Sequence, residues 1–132
     1  MSVIVGYVPN RFGRVALRYA VEEAKRRGCP MVVINSHRGG PETAGHHVDE
    51  NLAAATASLT EAGVPFEIRG LVRGNDPAED LVDVADELNA DCIVIGLRRR
   101  SPVGKLLLGS NAQQILLDAH CPVIAVKAGH DD

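Results

Sequence analysis

The chain has little aromatic character. Tryptophan is absent, and tyrosine and phenylalanine contribute two residues each, 3% in total. Surfaces that bind single-stranded nucleic acid stack bases on aromatic side chains, so this composition gives that class of function no support. Acidic residues outnumber basic ones, 17 to 14, for a formal net charge of −3. A weakly acidic chain has no general attraction for nucleic acid or anionic lipid, and any cationic site must be local.

Long apolar runs are missing as well. No run approaches the roughly 20 residues that span a bilayer, and the opening MSVIVGYVPN lacks the basic start and long apolar core of a signal peptide. Each of the three cysteines, Cys29, Cys92 and Cys121, lies at or beside the start of an apolar run, and none forms a C-x-x-C pair. We interpret them as buried, inert thiols. The odd number argues against a disulfide framework, so we expect a reduced, cytoplasmic protein.

Short apolar runs alternate with helical patterns along the whole chain, without a linker or repeat. The apolar runs predict five strands, SVIVGYV, MVVINS, VPFEIRGLV, DCIVIG and PVIAVK. Apolar residues at steps of three and four predict four helices between them. This alternation indicates right-handed βαβ units and a mainly parallel sheet covered on both faces. We therefore predict one α/β domain, residues 1–132, built as a three-layer α/β/α sandwich.

Several helix boundaries carry their own signals. Gly28 is predicted to end the first helix. The third helix has the clearest start, because Asp76 can cap it and Pro77 suits its first position. Ser110 and Gln113 are spaced as a capping box at the start of the last helix.

One stretch combines positive charge, glycine and a helix start: GLRRRSPVGKLLLGS, residues 96–110. It follows the fourth strand, and open sheets of this type bind ligands beyond the carboxyl ends of their strands. Gly109 would let an anion approach the start of the last helix, and Ser110 could donate its hydroxyl. The same stretch holds four cations, Arg98, Arg99, Arg100 and Lys105. The residues support two interpretations about equally, a site for nucleotide phosphates and a solvated basic turn before a capped helix.

Known phosphate and catalytic motifs do not match. A Walker A loop requires Ser or Thr after Gly-Lys, where this chain has Leu106. A hydrolase built on Ser110 and His120 fails because one helix would hold them roughly 15 Å apart, and no Gly-x-Ser-x-Gly elbow is present. The histidines of the second loop, His37, His46 and His47, lack the spacing of a zinc site. We therefore expect neither an enzyme nor a metal site, with weak nucleotide hydrolysis left open.

The glycines of the basic stretch have the spacing of a known family. Gly96, Gly109 and Ser110 match the Gly-x2-Gly-x9-Gly-[Ser/Thr] pattern of the universal stress proteins, and VIVGYV, DPAEDLVDVADELNADCIVIG and CPVIAVK also resemble that family. The resemblance covers essentially the whole chain. It implies a Rossmann-like fold of the adenine nucleotide alpha hydrolase-like type, with a five-stranded parallel sheet in the order 3-2-1-4-5. It also implies that a nucleotide-binding member would hold ATP or a related nucleotide over the ends of strands one and four.

Two positions depart from the nucleotide-binding pattern. The second glycine of the motif falls on Arg99, whose side chain can block close approach of a phosphate or bind it through its own fork. The Asp that accepts from ribose hydroxyls in ATP-binding members corresponds to Val8. Losing a charged acceptor costs roughly 1.5–3 kcal/mol, or about ten- to a hundredfold in affinity.

The resemblance therefore implies a degenerate adenine-nucleotide site, which we predict to bind ATP or AMP weakly or not at all, with Mg²⁺ only alongside a nucleotide. The residues expected around the phosphates are Gly96, Arg98, Arg99, Gly109, Ser110 and Asn111. Those expected near the adenosine are Gly6, Tyr7, Val8 and Ser36. The predicted function is that of a non-catalytic, cytoplasmic stress-response protein acting through a ligand or a partner. The alternative is a true ATP-binding switch or slow ATPase using the 96–110 stretch.

The fifth strand suggests a partner surface. At the edge of a sheet, an apolar strand leaves backbone groups and side chains uncovered. The family resemblance implies a homodimer through this strand, with Val123, Ile124, Ala125 and Val126 at the interface. The alternative is that the chain's own tail covers the edge.

Overall fold

The computed structural model describes residues 1–7, 11–35, 53–70, 77–97 and 110–127. Its strands are β1 (Val3–Tyr7), β2 (Met31–Asn35), β3 (Phe66–Gly70), β4 (Cys92–Leu97) and β5 (Val123–Lys127). Its helices are α1 (Arg11–Arg27), α2 over residues 53–62, α3 (Pro77–Glu87) and α4 (Ser110–Asp118). All five strands are parallel and stand in the order β3-β2-β1-β4-β5. The predicted sandwich and its strand order are confirmed.

A separate apolar core fills each face of the sheet. On one face, α1 and α2 cover Val3, Val5 and Tyr7 of β1, with Leu59 of α2 fully buried against them. On the other face, α3 and α4 cover Ile4 and its neighbours in β2 and β4. Because successive strand residues point to opposite faces, burial of both faces explains why β1, β2 and β4 are apolar without alternation.

The central strand aligns the ends of its neighbours. Val3 is paired with Met31 of β2 and with Cys92 of β4, so the three strands begin at one level. Their carboxyl ends therefore also lie together, at what we call the carboxyl edge of the sheet. The chain leaves this edge into α1 after β1 and reaches it again at the start of α4.

Residues with positive φ end three of the helices. Gly28 follows α1 with φ 65°, as predicted, and Gly63 follows α2 with φ 77°. Asn89 ends α3 in the same conformation, with φ 52°, and the amide of Ala90 donates to the carbonyl of Ala85 at 2.9 Å. An amide side chain is the usual non-glycine choice for this position.

The cysteines are free and differ in burial. Cys92 is fully buried, as expected, whereas Cys29 and Cys121 are only partly buried. Burial is the main cause that raises the pKa of all three thiols. Raised pKa values keep the thiols protonated at neutral pH, which agrees with the expected low reactivity.

None of the helices among the described residues has the length and apolar character needed to cross a bilayer.

Candidate functional site

The candidate site lies at the carboxyl edge, where the chain order of the strands reverses. β1 and β4 are neighbours there, although the chain visits β2 and β3 between them. The helix after β1 packs on one face of the sheet and the helix after β4 on the other. The two helices therefore begin on opposite sides of one pair of strand ends, which is the geometry of a ligand crevice in doubly wound sheets.

The structure describes only part of the predicted nucleotide site. Gly6, Tyr7 and Gly96 lie at the ends of β1 and β4. Ser110 and Asn111 lie in the first turn of α4. The other predicted site residues lie outside the described ranges: Val8, Ser36, Arg98, Arg99 and Gly109.

Gly96 makes a close contact with the first turn of α1. A Cβ atom placed on Gly96 would lie 2.3 Å from the carbonyl oxygen of Phe12 and 2.9 Å from its carbonyl carbon. Real side chains do not tolerate such distances, and the obstructing atoms belong to the backbone. The first glycine of the family motif is therefore needed for packing α1 against β4, whatever else it contacts.

Tyr7 belongs to the core more than to the surface of the site. Its side chain is 3% exposed and packs in the core between the sheet and α1. Burial raises the pKa of Tyr7, and the positive charge of Arg14 acts in the opposite direction. The phenol therefore stays neutral at physiological pH, and its buried ring packs in the core between the end of β1 and α1.

Arg14 is a residue of this edge that the sequence analysis missed. It lies near the start of α1, is exposed, and is close enough to Tyr7 for its charge to act on the phenol. The sequence held a signal for a positively charged helix start here. Helices favour acidic residues in their first turn, and the first turn of α1 has none. α4 also lacks them, whereas α3 has Glu79 and Asp80.

The starts of α1 and α4 contribute positive charge to the carboxyl edge. Each helix N-terminus carries roughly half a positive charge, and neither α1, which follows β1, nor α4, which follows β4, has an acid in its first turn. An edge of this kind can bind an anion such as a phosphate. The arginines of residues 98–100 belong to the same connection by sequence, but they lie outside the described ranges.

A family model described as the universal stress protein family matches residues 1–127. The chain belongs to that family. A universal stress protein of Mycolicibacterium smegmatis is 45% identical over 95% of this chain and 96% of its own length.

Solved universal stress proteins share the fold. One from Archaeoglobus fulgidus superimposes with a TM-score of 0.81 at 40% identity, covering 96% of this chain and 98% of that one. A second structure from the same organism, in complex with dAMP, has a TM-score of 0.76 at 36% identity, with the same coverage of 96% and 98%. These matches confirm the family and the fold class that the sequence predicted.

Ser110 and His120 do not meet. Ser110 begins α4 at the carboxyl edge, whereas His120 follows the other end of that helix. There, Nδ1 of His120 lies 3.0 Å from a carboxylate oxygen of Asp86 on α3. The histidines of the second loop lie outside the described residues, and among the described ones no group of three or more His, Cys, Asp or Glu side chains could hold a metal ion.

β5 forms one end of the sheet and is incompletely covered. Val123, Ile124 and Val126 are half-buried, and Ala125 is exposed. Leu117 of α4, the helix that precedes β5 in the chain, is 83% exposed. This edge has the apolar surface that the dimer prediction requires. Residues 128–132, the tail of the alternative prediction, lie outside the described part of the chain.

Proposed function

We propose that this protein is a non-catalytic stress-response protein that binds an adenine nucleotide weakly at the carboxyl edge. The main support is the Archaeoglobus fulgidus relative solved with dAMP, which is 36% identical to this chain over nearly its whole length. Two uncompensated helix starts at the same edge of this chain suit the phosphate of such a ligand. AMP and dAMP therefore come before ATP as candidate ligands, and Mg²⁺ enters only with a nucleotide.

Weak binding follows from the two departures from the motif. The side chain of Val8 cannot accept a hydrogen bond from ribose, and a lost charged acceptor costs roughly 1.5–3 kcal/mol. Arg99 replaces a glycine whose small size favours close approach of a phosphate. The protein then senses only high nucleotide concentrations, or uses the site for a ligand that does not need these two positions.

The absence of catalysis is proposed from the separation of the candidate groups. A serine nucleophile needs a base within hydrogen-bonding reach. Ser110 and His120 stand at opposite ends of α4, and His120 contacts Asp86. A slow ATPase remains the alternative function, and release of phosphate from ATP would reveal it.

Calorimetric titration with AMP, dAMP and ATP, with and without Mg²⁺, tests the proposal. We expect saturable binding that is weaker than micromolar, and no release of phosphate from ATP. Sub-micromolar affinity for ATP would contradict the degenerate site, and no heat with any nucleotide would remove the nucleotide from the proposal.

Restoring the motif sharpens this test. Val8→Asp together with Arg99→Gly should tighten AMP binding by about ten- to a hundredfold, because an acceptor returns and an obstruction leaves. Ser110→Ala should weaken binding, since it removes a hydroxyl from the start of α4. Lys25→Glu, at the opposite end of α1, lowers the net charge by as much as the double variant does, so it is the matched control and should leave affinity unchanged.

The proposed assembly is a cytoplasmic homodimer through β5. The support is the apolar sequence of this edge strand, Val123 to Val126, and its partial exposure. A two-fold axis would let each copy cover the other's open edge and apolar side chains. Light scattering that gives a monomer mass at working concentration would contradict the dimer.

A further inference from the structure

The contact between Gly96 and α1 separates two roles that a motif glycine can have. A glycine can let a ligand approach its own backbone, or it can let another part of the chain do so. At Gly96 the space that a side chain would occupy is taken by the backbone of Phe12, at 2.3 Å from its oxygen and 2.9 Å from its carbon. The place for a side chain is therefore filled by protein.

From this geometry we propose that Gly96 is a positioning residue, which sets the height of the first turn of α1 above the end of β4. The proposal rests on the proposed function and deepens it, since this turn begins at the carboxyl edge, where we propose that the nucleotide binds. It reassigns the first glycine of the motif from contact with the ligand to support of the helix that borders it.

The consequence for α1 follows from helix geometry. In an α-helix the carbonyl of Phe12 accepts from the amide of Ala16, four residues later. A methyl group on Gly96 would have to push this carbonyl away, and no change of the Phe12 side chain could make room. The first turn would lift from the sheet, taking with it the helix start and Arg14, and the hydrogen bond to Ala16 would weaken.

Gly96→Ala tests this displacement without any ligand. In the free protein we expect amide hydrogen exchange in the first two turns of α1 to accelerate by about tenfold or more, while amides of α3 keep their relative protection. Gly63→Ala is the matched control. It adds the same methyl group where nothing lies within 4 Å, but at φ 77°, so it costs stability through the backbone at α2 and not through a clash.

AMP affinity then distinguishes positioning from contact. Positioning predicts that Gly96→Ala accelerates amide exchange in α1 of the free protein and also weakens AMP binding by about tenfold. Gly63→Ala should leave AMP affinity unchanged when the two variants are compared at equal fractions of folded protein. Weakened binding with wild-type exchange in α1 would overturn the proposal, because it would mean that Gly96 only touches the ligand. Unchanged exchange and affinity would overturn it as well. If the wild-type protein binds no AMP, the proposed function fails, and the exchange result alone decides the role of Gly96.

The wild-type protein provides a second test if Gly96→Ala does not fold. The α-protons of Gly96 should show nuclear Overhauser contacts with protons of Phe12, because the Phe12 Cβ atom lies 3.4 Å from the side-chain position of Gly96. Their presence supports the close approach, and their absence would overturn the proposal.

Discussion

β3 and β5, the two strands at the ends of the sheet, differ in the charge of their edges. Within the part of the chain that the structure describes, each leaves one side of its backbone without a neighbouring strand. β3 has the sequence FEIRG, and its Arg69 donates from Nε to Glu67 at 2.8 Å and from Nη1 to Glu87 of α3 at 3.0 Å. β5 has the sequence VIAVK, with four apolar residues before its first charge.

This difference indicates which edge is available to a second copy. Charged side chains on an edge strand discourage pairing with another chain, because pairing would bury them or bring like charges together. β3 therefore has the features of an edge that ends the sheet. β5 has only Lys127 at its end, as expected of an edge that another chain covers.

The largest expected effect comes from placing a charge on β5. Ala125→Lys changes an exposed residue, so the monomer fold should remain. Two lysines would meet near the axis of a β5–β5 dimer, which should cost about 3 kcal/mol or roughly a hundredfold in the dissociation constant. Light scattering should then give the monomer mass. Glu67→Ala on β3 serves as the control and should keep the mass of the wild type, and an unchanged mass for Ala125→Lys would contradict the dimer interface.

The reverse change should make β3 resemble β5. Glu67→Val with Arg69→Val removes the charges from the edge, and we expect a new association whose apparent mass in sedimentation velocity rises with concentration. Combining the pair with Ala125→Lys isolates the contribution of β3. If this combination stays monomeric at all concentrations, the charges of β3 are not what protects it.

A smaller effect is expected on the stability of β3 itself. Arg69→Ala removes both ion pairs and leaves two carboxylates facing each other. Glu67 and Glu87 are more than half exposed, so solvent screening should limit the loss in the free energy of unfolding to about 0.5–1 kcal/mol. Urea unfolding measures this loss, which should shrink in high salt. Lys127→Ala, which removes the cation of β5, is the comparison variant, and a larger loss there would reverse the predicted order.

The smallest effect is the pH dependence of stability that comes from Cys121, just before β5. Burial, followed by the negative charge of Asp86, raises the pKa of Cys121 above its ordinary value of 9.0. A raised pKa favours the protonated thiol in the folded state, so its contribution to stability is complete below pH 9.0 and is lost as pH rises through the folded pKa.

Urea unfolding from neutral pH to pH 10.5 would measure this loss. The wild type should lose more of its free energy of unfolding than Cys121→Ala, which lacks one of the three thiols with raised pKa values. Parallel pH curves for the two proteins would show that the environment of Cys121 does not contribute.

The fold was largely predictable from sequence because its signals are local. Five apolar runs, the helical spacing between them and Gly28 after α1 each depend on neighbouring residues, and all of them match the structure. The order of the strands and the family followed from the resemblance, which the pattern of the whole chain carried together with Gly96, Gly109 and Ser110 at their characteristic spacing. The positive φ of Asn89 was not predicted, because a polar residue at a helix end indicates this conformation less clearly than glycine does.

The candidate site was less predictable, because its geometry joins residues far apart in the chain. The sequence by itself determined the elements, their parallel arrangement, and the glycine and basic residues after β4. Only the tertiary structure decided that Phe12 occupies the side-chain position of Gly96, that Tyr7 supports the core, and that Arg14 reaches the same edge. The physical reason is that spacing along the chain governs local hydrogen bonding and burial. Packing across the sheet decides which residues far apart in the chain come into contact.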